Sequence, residues 1–428
     1  MSHLKFPKDF LWGAATSSHQ VEGNTLNDWS EWEKQNAERL AQEARKKFSH
    51  LESWDQIKAE AENPKNYISG VACDHYHRFR EDFDIAQSLH HNAHRFSIEW
   101  SRIEPAEGQF DMDALAHYRE VLSALRERGL EPFVTLWHWT LPLWLTEKGG
   151  VHSYDFPKYF KRYTEFVVTA FKDDVKFWIT LNEPTSVIGA AYTTGQWPPQ
   201  KKNRFLAWRV YQILAQAHRE TYHAIHRISP TAQVGFGNLL HSFEAYHRHS
   251  PLDHLLIRVA RFFTNRLMLL LTSKHHDFLT VQYYFHNRFK FPRKIHPIGF
   301  EQTDLGWEIY PKGIFNILDH LKRYKLPIYI TENGLADLTD EKRTAFIRQH
   351  LRWVHKAIEE GADVRGYFYW SLLDNFEWDK GFWPRFGLVE VNYETQKRTI
   401  RPSGHFYGKI CQENALGVEM EEESLIKE

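Results

Sequence analysis

Cysteine and long apolar runs are scarce in this 428-residue sequence. Cys73 and Cys411 are its only cysteines, and their spacing matches no metal-binding or redox motif. So few thiols are consistent with a reducing compartment. The longest aliphatic run, Leu267–Leu271, is far too short to cross a bilayer. Hydrophobic residues nevertheless make up 42% of the chain, which is ample for a core.

Net charge is also nearly absent, at −1 with neutral histidines. A chain with no excess of either sign does not attract nucleic acid or an anionic membrane from a distance. Residues Met1–Pro7 lack the apolar stretch of a signal peptide. The 26 histidines include no HExxH motif and no Cys/His ligand cluster. We therefore expect a cytoplasmic protein with no nucleic-acid partner, no membrane partner and no metal.

Short extended runs alternate eight times with longer helical patterns along the chain. The runs show little polar alternation, which is typical of parallel strands covered on both faces. The predicted strands are Phe10–Ala15, Ala93–Ile98, Glu131–Leu136, Lys176–Asn182, Gln233–Asn238, Asp277–Gln282, Ile328–Glu332 and Val364–Trp370. The predicted helices are Asp74–His90, Asp113–Arg128, Phe156–Phe171, Leu206–Ile228, Leu252–Leu271, Gly313–Tyr324 and Asp340–Glu360.

Eight strand–helix units in one chain favour a single α/β domain over residues 1–428, a (β/α)8 TIM barrel with its active site at the carboxyl ends of the strands. A doubly wound open sheet is the alternative. It would need a Gly-rich phosphate loop or a switch-point crevice, and no such loop follows any predicted strand.

Two segments depart from the repeating unit, and a third stands out within it by its apolar composition. Ser30–Gly70 is charged and strongly helical and follows the first strand, so we expect a helical flap insertion at residues 30–70 over the top face. The last ten residues, Glu419–Glu428, are acidic, and we expect a disordered tail there. The apolar run Leu267–Leu271 is either core or a contact in a homo-oligomer.

Two glutamates occur in near-identical settings, Glu183 in Thr180–Pro184 and Glu332 in Tyr329–Gly334. Each ends a β-branched and aromatic stretch and precedes residues that stop a strand. A barrel would bring both carboxyl groups to one mouth. Two facing carboxylates in different environments suffice to cleave a glycosidic bond. The simpler alternative is that both are salt-bridge partners at the end of the barrel.

Further polar and aromatic side chains are expected at the same mouth. They are Gln20, Glu22, Arg95, His138, Trp139, Asn182, Gln282, Tyr284, Trp370, Glu377 and Trp378. Arg95 and Tyr284 are suited to keeping a nucleophilic carboxylate ionised, and Asn182 to contacting a sugar hydroxyl or orienting the acid. Convergence from so many strands favours a site over scattered core polarity.

A set of ordered motifs carries a family resemblance over nearly the whole chain. The motifs are Phe6–Thr16, His94–Ile103, Thr135–Trp139, Leu181–Pro184, Thr331–Gly334, Tyr369–Trp378 and Arg385–Leu388. On these residues the chain resembles glycoside hydrolase family 1, the β-glucosidase and β-galactosidase family. The resemblance implies a single TIM barrel, a retaining double-displacement mechanism and no cofactor.

The resemblance also implies roles for individual residues. Glu183 would be the acid/base and Glu332 the nucleophile, with Arg95 and Tyr284 holding the charge of Glu332. Sugar contacts would come from Gln20, His138, Asn182, Glu377 and Trp378, with Trp139 and Trp370 as walls and Trp307 on the aglycone side. The expected substrate is a small-molecule β-glycoside or oligosaccharide that loses a terminal β-D-glucosyl, β-D-galactosyl or β-D-fucosyl unit.

Two positions decide among subclasses of the family. Members that take 6-phosphorylated sugars typically lack Glu377, whose carboxylate would repel a phosphate, so its presence favours an unphosphorylated glycoside. Gln282 stands where the family usually has Asn, so the contact made there with the nucleophile or the sugar is expected to change. The rival hypotheses are a 6-phospho-β-glycosidase and a non-catalytic sugar-binding barrel.

Overall fold

Eight parallel strands form the centre of the protein, whose computed structural model describes residues 2–295 and 299–418. The strands are β1 Leu11–Ala15, β2 Ala93–Ser97, β3 Glu131–Trp137, β4 Phe177–Leu181, β5 Gln233–Gly235, β6 Leu279–Gln282, β7 Ile328–Asn333 and β8 Val364–Trp370. Each lies within or next to its predicted run. The predicted (β/α)8 fold is therefore confirmed.

The strands pair in the order β5–β4–β3–β2–β1–β8–β7–β6. A bridge between Leu239, which follows β5, and Gln282 at the end of β6 joins the two outer strands. The barrel interior is filled by aromatic rings, and Phe133 on β3 stacks on Phe177 on β4 with centroids 4.2 Å apart. Because side chains pack this interior, the open space for a ligand is left at the strand ends.

Helices cover the outer face of the barrel or, in the case of α1 and α2, pack at its mouth. They are α1 Asp28–Phe48, α2 Trp54–Ala61, α3 His75–Ser88, α4 Met112–Glu127, α5 Phe156–Phe171, α6 Arg204–Ile228, α7 Pro251–Arg261, α8 Lys312–Leu321, α9 Arg343–Glu359 and α10 Pro402–Glu413. Local sequence sets their ends. Asp111 caps α4 by accepting hydrogen bonds from Asp113 and Ala114, and Gly129, at φ 70°, follows its last turn.

Shorter elements complete the chain. The short helical segments are Ser18–Val21, Pro64–Tyr67, Trp100–Ile103, Leu143–Glu147, Gly150–His152, Pro184–Val187, Ile188–Thr194, Phe262–Arg266, Leu267–Leu271, Lys322–Tyr324 and Trp378–Lys380. Outside the barrel, Ser2–Lys5 pairs with Ala415–Val418, Val389–Val391 pairs with Arg398–Ile400, and Ser242–Ala245, His286–Lys290 and Arg293–Ile295 form a third sheet.

The predicted insertion after β1 is helical and packs against the mouth of the barrel. Trp29 and Trp32 of α1 belong to one apolar cluster with Trp378, which lies beyond β8. The rings of Trp29 and Trp378 are 4.6 Å apart, and Trp139 lies 4.5 Å from Trp378 on another side. The insertion therefore supports the aromatic residues that follow β3 and β8.

The two remaining segments have different outcomes. In the run Leu267–Leu271 the first three side chains are buried, so this part belongs to the core, whereas Leu270 is 53% exposed. The predicted acidic tail at 419–428 lies outside the described residues. Within 2–295 and 299–418, the structure contains neither a helix long and apolar enough to cross a membrane nor a group of three potential metal ligands.

Candidate active site

Glu183 and Glu332 lie at the carboxyl ends of β4 and β7 and line the same pocket. Glu183 has the left-handed backbone conformation, with φ 40° and ψ 60°, and its N–H donates to the carbonyl of Gly237 at 2.9 Å. Residues with a β-carbon rarely adopt this conformation, and the surrounding structure must hold it in place. Pro184 begins a short helix directly after it.

Glu332 is surrounded by hydrogen-bond donors. Arg95 on β2 forms an ion pair with its Oε1, and Gln282 donates to the same oxygen at 2.7 Å. The hydroxyl of Tyr284 donates to Oε2 at 2.9 Å. Burial raises the pKa of Glu332, and the charge of Arg95 and the hydrogen bonds from Arg95 and Tyr284 oppose that rise. These partners stabilise the ionised carboxylate.

Asn182 connects this network to β3. Its Oδ1 accepts from Arg95 at 2.6 Å and from Gln282 at 2.8 Å, which leaves its amide nitrogen to interact with His138 Nε2 at 2.9 Å. Burial and the nearby charge of Arg95 hold the pKa of His138 well below its usual value, so the ring is neutral at pH 7. The backbone carbonyl of Asn182 accepts a hydrogen bond from the indole N–H of Trp139 at 2.9 Å. The side chains therefore have little freedom to rotate.

Glu183 has far fewer partners. The hydroxyl of Ser186 donates to its Oε2 at 2.6 Å. Burial, followed by the negative charge of Glu332, raises the pKa of Glu183 to about 8. At neutral pH this carboxyl therefore keeps its proton, in contrast to the carboxylate that Arg95 stabilises. Sequence reasoning did not select Ser186, because a serine three residues after a glutamate is common on any helix.

Glu377 and Gln20 lie together at another side of the pocket. Gln20 Nε2 donates to the Phe376 carbonyl at 2.8 Å and approaches Glu377 Oε2 at 3.3 Å. Burial raises the pKa of Glu377 to about 8, and the charge of Lys380 opposes that rise. A protonated carboxyl both donates and accepts hydrogen bonds, as the hydroxyl groups of a sugar require.

Aromatic side chains form most of the remaining wall. The predicted residues His138, Trp139, Tyr284, Trp307, Trp370 and Trp378 all line the pocket, together with Trp197, Leu239, Phe285, Leu305 and Phe386, which were not predicted. The unpredicted residues come from connecting loops, whose path the strand and helix patterns do not reveal. Flat apolar walls with a few polar groups are suited to a sugar ring.

Four positions predicted at the mouth do not line the pocket: Arg95 and Asn182, which lie behind it in the network around Glu332, and Gln282 and Glu22. Gln282 is fully buried, and its Nε2 donates to Glu332 and Asn182, so it holds the side chain of Glu332 instead of facing a ligand. Glu22 also points away from the mouth. It forms an ion pair with Arg102 and accepts from Tyr118 at 2.8 Å, and it therefore joins the segment after β1 to the helical shell.

Comparisons with known proteins agree with the fold. The family model described as "Glycosyl hydrolase family 1" matches residues 2–269 and 273–416. "Beta-glucosidase A" of Thermotoga maritima is 34% identical over 97% of this chain and 100% of its own length.

Solved structures show the same similarity. A "beta-glycosidase from Pyrococcus horikoshii" has 37% identity and a TM-score of 0.86, with 97% of both chains covered. The "Beta-glucosidase from Thermotoga maritima in complex with glucoimidazole" has 30% identity and a TM-score of 0.85, with 96% of this chain and 100% of that chain covered.

Proposed function

The chain belongs to glycosyl hydrolase family 1, and from this premise we propose that it is a retaining, exo-acting β-glycosidase with a preference for terminal β-D-glucosyl units. It is a glycoside hydrolase of the β-glucosidase type. The observation that carries the finer proposal is the contrast between two carboxyl groups in one pocket. Glu332 is stabilised as an anion by Arg95, whereas Glu183 has a pKa of about 8.

In the first step, Glu332 attacks the anomeric carbon of the bound sugar while Glu183 gives its proton to the departing glycosidic oxygen. The bond between the anomeric carbon and that oxygen breaks, and an ester bond to Glu332 forms. The pKa of about 8 keeps the proton on Glu183 at neutral pH. Tyr284 and Arg95 position the attacking carboxylate through their hydrogen bonds.

In the second step, Glu183 is an anion and removes a proton from water, or from a second sugar in transglycosylation. The oxygen attacks the anomeric carbon, and Glu332 leaves as a carboxylate with Arg95 as its counter-ion. Once the ester has formed, the negative charge of Glu332 is gone. The loss of this charge removes one cause of the raised pKa of Glu183 and therefore favours the ionised form of Glu183 after its first proton has left.

The other pocket residues would bind the sugar. Gln20, His138 and Glu377 supply hydrogen-bonding groups, and Trp370 and Trp378 supply the apolar walls. Asn182 would act from behind the pocket wall by orienting the His138 ring through its amide. Trp307, whose ring is 4.6 Å from that of Phe285, would contact the aglycone. Tolerance of β-galactosides and β-fucosides is part of the proposal, since galactose differs from glucose in the configuration at C4 alone and D-fucose differs from galactose only by lacking the hydroxyl group at C6.

Stereochemistry tests the proposed mechanism. Proton NMR of the first sugar released from a nitrophenyl β-glucoside should show the β-anomer before mutarotation. The α-anomer as first product would overturn the retaining mechanism. A panel of nitrophenyl glucoside, galactoside and fucoside, scored by kcat/KM, tests the sugar preference, and a clear galactoside preference would reject glucose as the favoured sugar.

The rival hypotheses make different predictions in the same assays. Of the described residues that line the pocket, Lys380 is the one Lys or Arg, and its ammonium contacts both oxygens of Asp379 at 2.8 Å. We therefore expect nitrophenyl glucoside to exceed its 6-phosphate in kcat/KM. Preference for the phosphate would support a 6-phospho-β-glycosidase. Failure to hydrolyse any β-glycoside would support a non-catalytic sugar-binding barrel. Cytoplasmic location and homo-oligomer formation remain predictions.

A further inference from the structure

Residues 246–295 have a charge that the net charge of the whole chain conceals. This segment of 50 residues contains nine Lys and Arg against two Asp, a formal charge of +7. The other 378 residues contain 45 Lys and Arg against 53 Asp and Glu, a formal charge of −8. The charges of the chain are therefore unevenly distributed along the sequence, although its net charge is close to zero.

The acidic residues of this segment are engaged inside the fold. Asp253 is 2% exposed and accepts hydrogen bonds from the N–H groups of His247 and Phe291. Asp277 accepts from Tyr222 and from the backbone of Val234. The basic residues Arg248, Arg258, Arg266, Lys290, Arg293 and Lys294 are exposed and form no ion pair with any described residue. The surface of the segment is therefore basic.

The same segment exposes an apolar stripe on helix α7 and the turn that follows it. Leu252, Leu255, Val259 and Phe262 follow one another at intervals of three, four and three residues, so they share one face of the helix. Their exposed fractions are 50%, 54%, 48% and 39%, and Phe263 beside them is 44% exposed. The opposite face carries the buried Ile257. The helix is thus apolar toward the sheet of Ser242–Ala245 and His286–Lys290 and again toward solvent, which is unusual for a surface helix.

Aromatic side chains extend this stripe beyond the helix. Tyr246 and Phe291 are 52% and 50% exposed, and the hydrogen bond from Phe291 N–H to Asp253 places that turn at the amino end of α7. Lys290 Nζ lies 5.3 Å from the centre of the Tyr246 ring. Leucine and phenylalanine flanked by Arg and Lys are the composition of helices that lie in the surface of a membrane.

We propose that this outer face of α7, with Tyr246 and Phe291, docks on an anionic lipid surface. The apolar stripe would enter the headgroup boundary, and the surrounding basic residues would contact lipid phosphate and carboxylate groups. A second copy of the chain fits the face less well, because a two-fold contact would set one segment of charge +7 against another. The proposal departs from the expected absence of a membrane partner, which rested on the net charge of the whole chain.

The face adjoins the mouth of the barrel. The strand Ser242–Ala245 leads from β5 to α7, and the N–H of Ser242 donates to the carbonyl of Phe285, which lines the pocket. Docking would therefore hold one rim of the pocket next to the lipid. It requires no change at the two glutamates and is independent of the proposed hydrolytic activity.

Flotation with vesicles of equal parts phosphatidylglycerol and phosphatidylcholine tests the proposal. We expect the wild-type protein to float with these vesicles at low salt and far less with pure phosphatidylcholine. The double variants Leu255→Ser/Phe262→Ser and Arg258→Gln/Arg266→Gln should each bind about tenfold more weakly or worse. Met112→Ser, at a side chain 62% exposed at the start of α4 and outside the segment, is the matched control and should bind like the wild type.

Hydrolysis of a soluble nitrophenyl β-glucoside monitors folding in these variants and should stay unchanged, because none of the substituted residues lines the pocket. Absence of binding to the anionic vesicles at low salt would overturn the proposal, as would equal binding to pure phosphatidylcholine or an equal loss in Met112→Ser. Sedimentation velocity tests whether the face instead binds a second copy of the chain. A dimer that Leu255→Ser/Phe262→Ser dissociates, without vesicle binding, would assign the face to a second copy.

Discussion

The ends of β4 and β7 present the same residue type to the same pocket but surround it differently. Glu332 on β7 contacts Arg95, Gln282 and Tyr284, whereas Glu183 after β4 has a hydrogen bond from Ser186. Burial raises the pKa of both carboxyl groups, and the charge of Arg95 opposes the rise at both, but only Glu332 also has a direct ion pair and hydrogen bond with Arg95. The neighbours, and not the glutamates themselves, therefore distinguish the proposed proton donor from the proposed nucleophile.

Removing the carboxylate at β7 should have the largest effect. Glu332→Gly leaves no nucleophile, and we expect kcat for nitrophenyl β-glucoside to fall by about 10⁴-fold or more. Added azide should restore turnover by attacking from the vacated side and give the α-glycosyl azide, identified by NMR. Activity within a few-fold of wild type would contradict the proposed role.

The corresponding change at β4 should depend on the leaving group. Glu183→Gln removes the proton donor, and we expect the loss in kcat/KM to be about 10²- to 10⁴-fold for an alkyl β-glucoside, whose leaving group needs a proton. A dinitrophenyl glucoside, whose leaving group needs none, should lose far less in the first step. Equal losses for both substrates, measured by steady-state kinetics, would argue against an acid at this position.

Tyr284 contributes to the difference between the surroundings of Glu332 and Glu183. The variant Tyr284→Phe loses the hydrogen bond to Glu332, which helps to lower the pKa of that carboxyl. We expect a decrease in kcat of about 10- to 100-fold and an acidic limb of the pH profile that moves to higher pH. Arg365→Gln, at an exposed side chain on β8, is a control that should leave the profile unchanged. An acidic limb that stays in place would separate Tyr284 from the ionisation of Glu332.

The smallest effect is expected at Ser186. With a pKa of about 8, Glu183 should lose its proton as pH rises through that value, so kcat/KM should fall on the basic side near pH 8. The hydrogen bond from Ser186 lowers this pKa. Ser186→Ala should therefore move the basic limb to higher pH with a change in maximal kcat/KM of only a few-fold. Movement to lower pH would reverse the assigned sign.

The strands could be predicted closely because parallel strands buried on both faces read as short apolar runs between breaking residues. All eight predicted runs contain or overlap an observed strand. Helix α7 was less accurately predicted, since Phe262–Arg266 interrupts the expected helix Leu252–Leu271 with a wider turn. The hydrophobic periodicity of a sequence does not reveal that one helical turn contains an extra residue.

The pocket was only partly predictable for a related reason. Residues at strand ends, such as Glu332 and Tyr284, follow directly from the barrel. Trp197 and Phe285, by contrast, reach the pocket through loops whose path is set by packing. Gln282, by contrast, was predicted to contact the substrate but does not line the pocket. Its strand-end position did not reveal that its amide would donate to Glu332 and Asn182 instead.

The sequence by itself determined the barrel, the family and the pair of glutamates, because apolar runs and ordered motifs are local properties of the chain. Only the tertiary structure decided which neighbours surround each carboxyl group, and therefore which of them keeps its proton. It also showed that the basic and apolar residues of 246–295 lie exposed on one surface. Charge and burial act through space, and distances in space between residues far apart in the chain are set only by the complete fold.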